Sequence, residues 1–291
     1  MTPNQYLKDL LESQALDKNQ LDELEKHRIE VEGILTAQFG SIPTIRYGGS
    51  KAKGTMIAES YDLDIICYFP DSETKSLKDI YSEVWNVLGK YYKLEPKSSA
   101  IRIKKEDVYS EHDYHIDVVP GRYIKGDDGY AFIHVSNGEK DRLQTNIDVH
   151  VRNISKSDCR EIIKLVKLWK VRNDLPSNLK TFVFELFTIN ALNDSRNKDD
   201  LAASFVKVMT ALKDELISTR LEDPANSNNI VSDSITSANK SLIAQKAAET
   251  IETLNSSFGN EISRWKKVFD EASEPTIGPT IINNPPKPWS R

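Results

Sequence analysis

Apolar positions change their period along this chain. Leu21, Leu24, Ile29, Val31, Ile34, Leu35 and Phe39 recur at roughly helical spacing among charged residues and predict a helix over 19–39, stopped by Gly40 and Pro43. Residues 44–47 can start a strand that leads to Gly48-Gly49. The run from Leu63 to Phe69, closed by Pro70-Asp71, predicts a strand over 63–69. Leu77, Ile80, Tyr81, Val84, Trp85, Leu88 and Tyr91 predict an amphipathic helix over 76–92. Alternation marks strands over 100–105 and 114–119, the second ended by Pro120-Gly121, and a shorter one over 130–135. From residue 157 helical spacing takes over, predicting helices over 157–173, 179–193, 198–218, 235–256 and 258–272. Between them 222–234 is polar and loop-like, and the tail 275–291, with five prolines, is expected to be extended.

This order predicts an α+β fold: a lobe built on a mixed sheet, packed on a C-terminal helical lobe, with a ligand cleft between them. The expected division is 1–155 for the first lobe, including the long N-terminal helix, and 156–291 for the helical lobe and its Pro-rich tail.

Composition narrows the functional classes. At 38% hydrophobic and 29% charged residues the chain is an ordinary globular protein. No apolar run approaches the length of a membrane span, and the N-terminus has no signal-peptide pattern, so no membrane partner is expected. Cys67 and Cys159 make no disulfide framework, which fits a cytoplasmic location. A net charge of −5 argues against a long nucleic acid as partner. Residues 160–173, by contrast, hold five bases (Arg160, Lys164, Lys167, Lys170, Arg172) and the single acid Glu161, which suits a compact anionic ligand.

Candidate chemistry concentrates in residues 48–64. Gly48, Gly49 and Ser50 form a small-residue turn in which backbone N–H groups and a hydroxyl can approach phosphate oxygens, with Lys51 and Lys53 adding positive charge. The Walker spacing is absent, so this is not a P-loop. Asp62 and Asp64 follow at i and i+2, which puts both carboxylates on one face of a strand. Like charges so close repel unless a cation lies between them, and Mg²⁺ is the usual ion with phosphate substrates. Alone, the pair is weak evidence and more often describes a solvated turn at a strand start. Asp117, inside the apolar run Ile116-Asp117-Val118-Val119, is the candidate third ligand, because an acid there is costly unless paired or bound to metal. Three carboxylates can hold two Mg²⁺ ions, or Mn²⁺, that clamp an α-phosphate, activate a hydroxyl and stabilise a leaving pyrophosphate. Arg160, Lys164 and Lys167 share one helical face opposite Ile162, Val166 and Trp169. For Arg160 and Lys170 a solvated basic face is an equal reading. His112 and His115 lack a second paired ligand motif for zinc. Tyr47, Tyr61 and Tyr109 could stack on a base or simply pack, and Asn146 is a further candidate for base contact.

The order Gly49-Ser50, Asp62-x-Asp64, then His115-Ile116-Asp117-Val118-Val119-Pro120 resembles the polymerase-β-type nucleotidyltransferases, and within them the cGAS/DncV-like enzymes (CD-NTases), relatives of the oligoadenylate synthases. Gln144-Thr145-Asn146, the helix around Ile163–Lys170, Lys180-Thr181-Phe182 and Glu222-Asp223-Pro224 extend the resemblance over roughly 19–272. It implies a polymerase-β-like core and a synthase of cyclic or linear oligonucleotide messengers from NTPs, ATP among them. It further implies bacterial anti-phage signalling to an effector or activating partner protein, from a protein expected to be a monomer. Asp62, Asp64 and Asp117 would be catalytic and metal-binding; Gly49, Ser50, Lys51, Lys164, Lys167 and Thr181 would bind nucleotide. Thr181 stands where the family usually has a serine and keeps the hydroxyl. The same chemistry on an RNA acceptor, as in CCA-adding or poly(A) enzymes, and a non-enzymatic nucleotide-binding partner on the same fold are the alternatives.

Overall fold

The computed structural model describes residues 1–104, 114–136, 141–195 and 199–269. The expectations for Tyr109, His112 and the tail 275–291 lie outside them.

The chain opens with a helix the apolar spacing over 19–39 does not include. Thr2 caps α1 (Pro3–Ser13), Pro3 sits where a missing N–H costs nothing, and Tyr6, Leu7 and Leu10 form its buried stripe. Asp17 and Gln20 then make a capping box for α2 (Lys18–Phe39), which buries Leu24, Val31 and Leu35.

Among the described residues the main sheet has seven strands. β1 (Thr44–Tyr47) pairs antiparallel with β2 (Leu63–Phe69), and β2 pairs parallel with β5 (Ile116–Tyr123). Antiparallel to β5 lies β4 (Ile101–Ile103), and beyond it β3 (Leu94–Pro96). β6 (Ala131–His134) and β7 (Arg142–Thr145) extend the other part of β5. Leu63, Ile65, Cys67, Ile101, Ile103, Ile116 and Val118 alternate onto one face, where they pack with α2 and α4 (Leu77–Leu88) in one core. The opposite face carries Asp64 and Asp117 and, further along, the small cluster of Ile66, Tyr68, Ala131 and Ile133.

A second, larger core belongs to the helices. α5 (Ile147–Ser157), α6 (Arg160–Arg172), α7 (Thr181–Ala191), α8 (Leu201–Asp214), α9 (Ser237–Asn255) and α10 (Glu261–Val268) follow in order. Trp169 is fully buried at its centre and donates its indole N–H to Thr250 Oγ1 at 2.9 Å. α1 packs here, against α6, α8 and α10, so the chain starts in the helical core before it enters the sheet.

Two stretches differ from the pattern expectations. Residues 147–157 alternate β-branched and polar residues, yet they are helical because Asn146 Oδ1 accepts from the N–H groups of Asp148 and Val149 and starts α5. The polar link 222–234 contains a small hairpin, β8 (Glu222–Asp223) with β9 (Asn226–Ile230). The buried Asp223 carboxylate holds it, accepting from Ala225 N–H and Asn229 Nδ2 and pairing with His150 Nε2 at 2.7 Å.

Candidate active site

Strand register brings the acids together. Asp64 on β2 lies directly opposite Asp117 on β5, in strands whose spacing is about 4.8 Å. Asp62 stands just before β2, and its Oδ1 accepts from His115 N–H at 3.1 Å. Burial first, then the charges of Asp117 and Asp62, push the Asp64 carboxyl up to about 7. Arg102, opposite Asp117 on β4, grips both its oxygens at 2.7 Å through Nε and Nη2.

The glycine turn touches this cluster. Gly48 N–H donates to Asp64 C=O at 2.8 Å, and Gly49 has φ +49°. A Cβ on Gly49 would lie 1.6 Å from Asp64 Oδ2, so both the backbone and the acid require glycine there. Instead of a bare turn, residues Gly49–Lys53 form the short helix α3, with Ser50 in its first turn and Gly54 as its left-handed cap. Of the two lysines, Lys51 extends over the Tyr47 ring at 5.6 Å, whereas Lys53 pairs with Glu185 Oε2 on α7 at 2.5 Å.

The helical lobe supplies the facing wall. Lys167 is buried at 5% exposure, and that burial lowers its ammonium to about 8, against the pull of Glu185, Asp62 and Asp64. Lys164, half-buried one turn earlier, is lowered by burial and by Arg160. Arg160 is exposed, with its guanidinium beside Gly54. Lys170 is buried, not solvated, and donates to Leu179 C=O at 2.6 Å. Thr181 opens α7 half-buried.

The structure thus brings Asp62, Asp64, Asp117, Gly49 and Lys167 to one place, and adds Arg102, Lys53 and Glu185. Arg102 and Glu185 carry no motif; the alternation of Ile101-Arg102-Ile103 puts Arg102 on the Asp117 face once β4 pairs with β5. Asn146 uses its side chain to cap α5 and to reach Asp128 C=O, and Tyr61 stacks on Tyr114.

Hard oxygen donors with a repelling, partly desolvated carboxylate fit a divalent cation. Among the described residues no three acidic, imidazole or thiol side chains stand as a finished metal cluster, and Asp117 already has a guanidinium on both oxygens.

No family model and no curated protein matches the sequence. Solved structures do. The chain is similar to E. coli MS115-1 CdnC in its complex with HORMA-deltaN, with a TM-score of 0.71 at 17% identity over 92% of this chain and 97% of that one. The fold is that of the cGAS/DncV-like nucleotidyltransferases. Vibrio cholerae DncV, a cyclic AMP-GMP synthase, matches with a TM-score of 0.65 at 16% identity, covering 91% and 84% of the two chains. Elizabethkingia meningoseptica CdnE, a cyclic dinucleotide synthase, matches at 0.63 and 14% over 86% and 98%. The DncV-like fold accounts for the mixed sheet and the packed helices in one superposition. No helix of the described residues is long and apolar enough to cross a membrane.

Proposed function

We propose that the protein is a nucleotidyltransferase that joins nucleoside triphosphates, ATP among them, into a cyclic or linear oligonucleotide messenger. What carries the reading is one juxtaposition: Asp62, Asp64 and Asp117 on adjacent strand starts, facing the buried Lys167, in the fold of DncV and CdnC. Asp62, Asp64 and Asp117 would hold two Mg²⁺ ions, with Mn²⁺ as a substitute. Bound there, the ions supply positive charge for the α-phosphate and the leaving pyrophosphate.

The chain's own residues do the rest. Gly49 and Ser50, with Lys51 beside them, approach the phosphates, and Lys164, Lys167 and the Thr181 hydroxyl hold them from the helical wall. The ribose hydroxyl of a second nucleotide attacks the α-phosphorus, and Asp117 takes its proton once its carboxylate is released from Arg102. A cytoplasmic monomer that signals infection to an effector, with or without an activating partner protein, completes the proposal, as does a division into lobes near residue 155, with α1 counted in the helical lobe.

The test incubates the protein with labelled NTP mixtures and divalent metal and looks for phosphatase-resistant products by mass spectrometry. Product from the wild type and none from Asp62→Ala/Asp64→Ala is expected. Wild type indistinguishable from that double variant under every metal would sink the reading.

A further inference from the structure

Glu185 is an acid set between the two lobes. It lies on α7, and its side chain is 2% exposed. Its Oε2 takes Lys53 Nζ at 2.5 Å and its Oε1 takes the Thr55 hydroxyl at 3.2 Å. Both partners belong to the segment that carries the glycine turn: Lys53 ends α3, and Thr55 N–H donates to Ser50 C=O at 3.0 Å. On the helical side, Glu185 is the strongest attraction acting on the buried Lys167. One carboxylate therefore serves two ammonium groups that repel each other, and both also act on Asp64 across the cleft. The Phe182 ring, 5.3 Å from Lys53 Nζ, closes an apolar side of the same space. A buried ammonium is costly without a counter-charge, so Lys53 is held where it is by whichever anion is nearest.

We infer that Glu185 is a positioning residue that stands in for substrate phosphate, keeping Lys53 and Lys167 in the cleft until an entering phosphate takes over as their counter-anion. This rests on the reading of the cleft as a triphosphate site. It adds Lys53, which pairs with Glu185, to the groups that meet the phosphates.

The experiment measures the melting temperature of the full chain with inorganic tripolyphosphate, without metal, for wild type, Glu185→Gln, Lys53→Met and Lys53→Arg. Tripolyphosphate should raise the wild-type Tm. Glu185→Gln should start lower and gain roughly twice the wild-type increment, because Glu185 no longer competes with the phosphate for its lysines. Lys53→Met should lose most of the increment and Lys53→Arg keep it. A lower starting Tm in Glu185→Gln with an unchanged increment is what a purely structural ion pair gives, and it overturns the inference. If Glu185→Gln does not fold, the Lys53 pair decides: equal increments in Met, Arg and wild type overturn it. A wild type that responds to tripolyphosphate while the variants do not differ leaves the triphosphate reading intact and removes only Glu185's role. A wild type stabilised by neither tripolyphosphate nor ATP, and yielding no product from NTPs, removes both.

Discussion

The two walls of the cleft solve opposite electrostatic problems. On the sheet wall, strand register forces Asp64 against Asp117, with Asp62 close by, so the wall holds more negative charge than its surroundings tolerate. On the helical wall, Lys167 and Lys170 are embedded in a helix whose other buried residues, Ile162, Ile163, Leu165, Val166, Leu168 and Trp169, are all apolar. The Asp64 carboxyl is raised by burial and by its acidic neighbours; Lys167 and Lys170 are lowered by burial. Each wall borrows relief from another element: Arg102 for Asp117, Glu185 for Lys53 and Lys167. A ligand that brings cations to the first wall and phosphates to the second would relieve both.

The sharpest way to break this comparison is to neutralise one wall at a time. Asp64→Asn should abolish nucleotidyl transfer, by more than about a hundredfold, as expected when charge stabilisation at a reacting phosphate is removed. It should also stabilise the protein. The folded carboxyl binds its proton more tightly than the unfolded one, so its contribution is whole below 3.8 and is lost as pH rises through about 7. The gain over wild type should therefore grow from about pH 4 to about pH 7 and level off above that, reaching roughly 1–3 kcal/mol in denaturant titrations. A pH-independent difference would mean that Asp64 is not strained by its neighbours.

Lys167→Met is the mirror experiment. Its folded ammonium binds the proton less tightly than the unfolded one, so its contribution is whole above 10.5 and is lost as pH falls through about 8. The variant should gain stability relative to wild type as pH falls, the reverse of Asp64→Asn, and should lose roughly ten- to a hundredfold in kcat/KM, mostly through KM for NTP. If both variants move in the same direction with pH, the picture of two opposed walls is wrong.

How much of this was legible depends on whether a feature is local. The strand Leu63–Phe69 and the acids Asp62 and Asp64 stand in one stretch of sequence, and the apolar context of Asp117 marks it as an acid out of place. In the helical lobe, α6 to α10 followed from spacing alone, whereas α1 and α5 did not. Arg102 and Glu185 were not legible, because each matters through a partner: Asp117 in the next strand, and Lys53 far back in the chain. Lys170 illustrates the same limit, since the sequence left a solvated basic face as an equal reading and contacts with Leu179 C=O and the Phe184 ring are what cover it. The helix Ile147–Ser157 was hidden for a different reason. Its β-branched residues favour extended structure, and a single capping side chain with packing on α6 and α7 overrides them.

Arg102→Met tests the relief on the sheet wall, with a smaller expected effect. The Arg102–Asp117 pair is only partly exposed, at 20% and 13%, so breaking it should cost about 2 kcal/mol. The deficit should shrink when Mn²⁺ is added, because a cation can then replace the guanidinium on Asp117, and the Tm rise with Mn²⁺ should exceed that of the wild type. An Mn²⁺ response equal in both proteins would show that Arg102 does not compete for the carboxylate.

The smallest effect belongs to a contact that joins the walls without lying between them. Glu59, shortly before Asp62, accepts from Arg172 at the end of α6 through Nε and Nη2, and from Gln14 Nε2 at 2.8 Å; Arg172 also reaches Phe269 C=O. Arg172 first, against some desolvation, holds the Glu59 carboxyl below its ordinary 4.5, so its stabilisation is present above that value and fades as pH falls below it. With 35% of the Glu59 side chain exposed, solvent screens the pair, and Glu59→Gln should cost about 1 kcal/mol or less, shrinking further in high salt. Activity should stay within about twofold of wild type, since no charge facing the phosphates has changed. A loss of more than tenfold in kcat with unchanged Tm would reverse the argument: the tie would then set the angle between the acids and Lys167, and the walls could not be treated as separate.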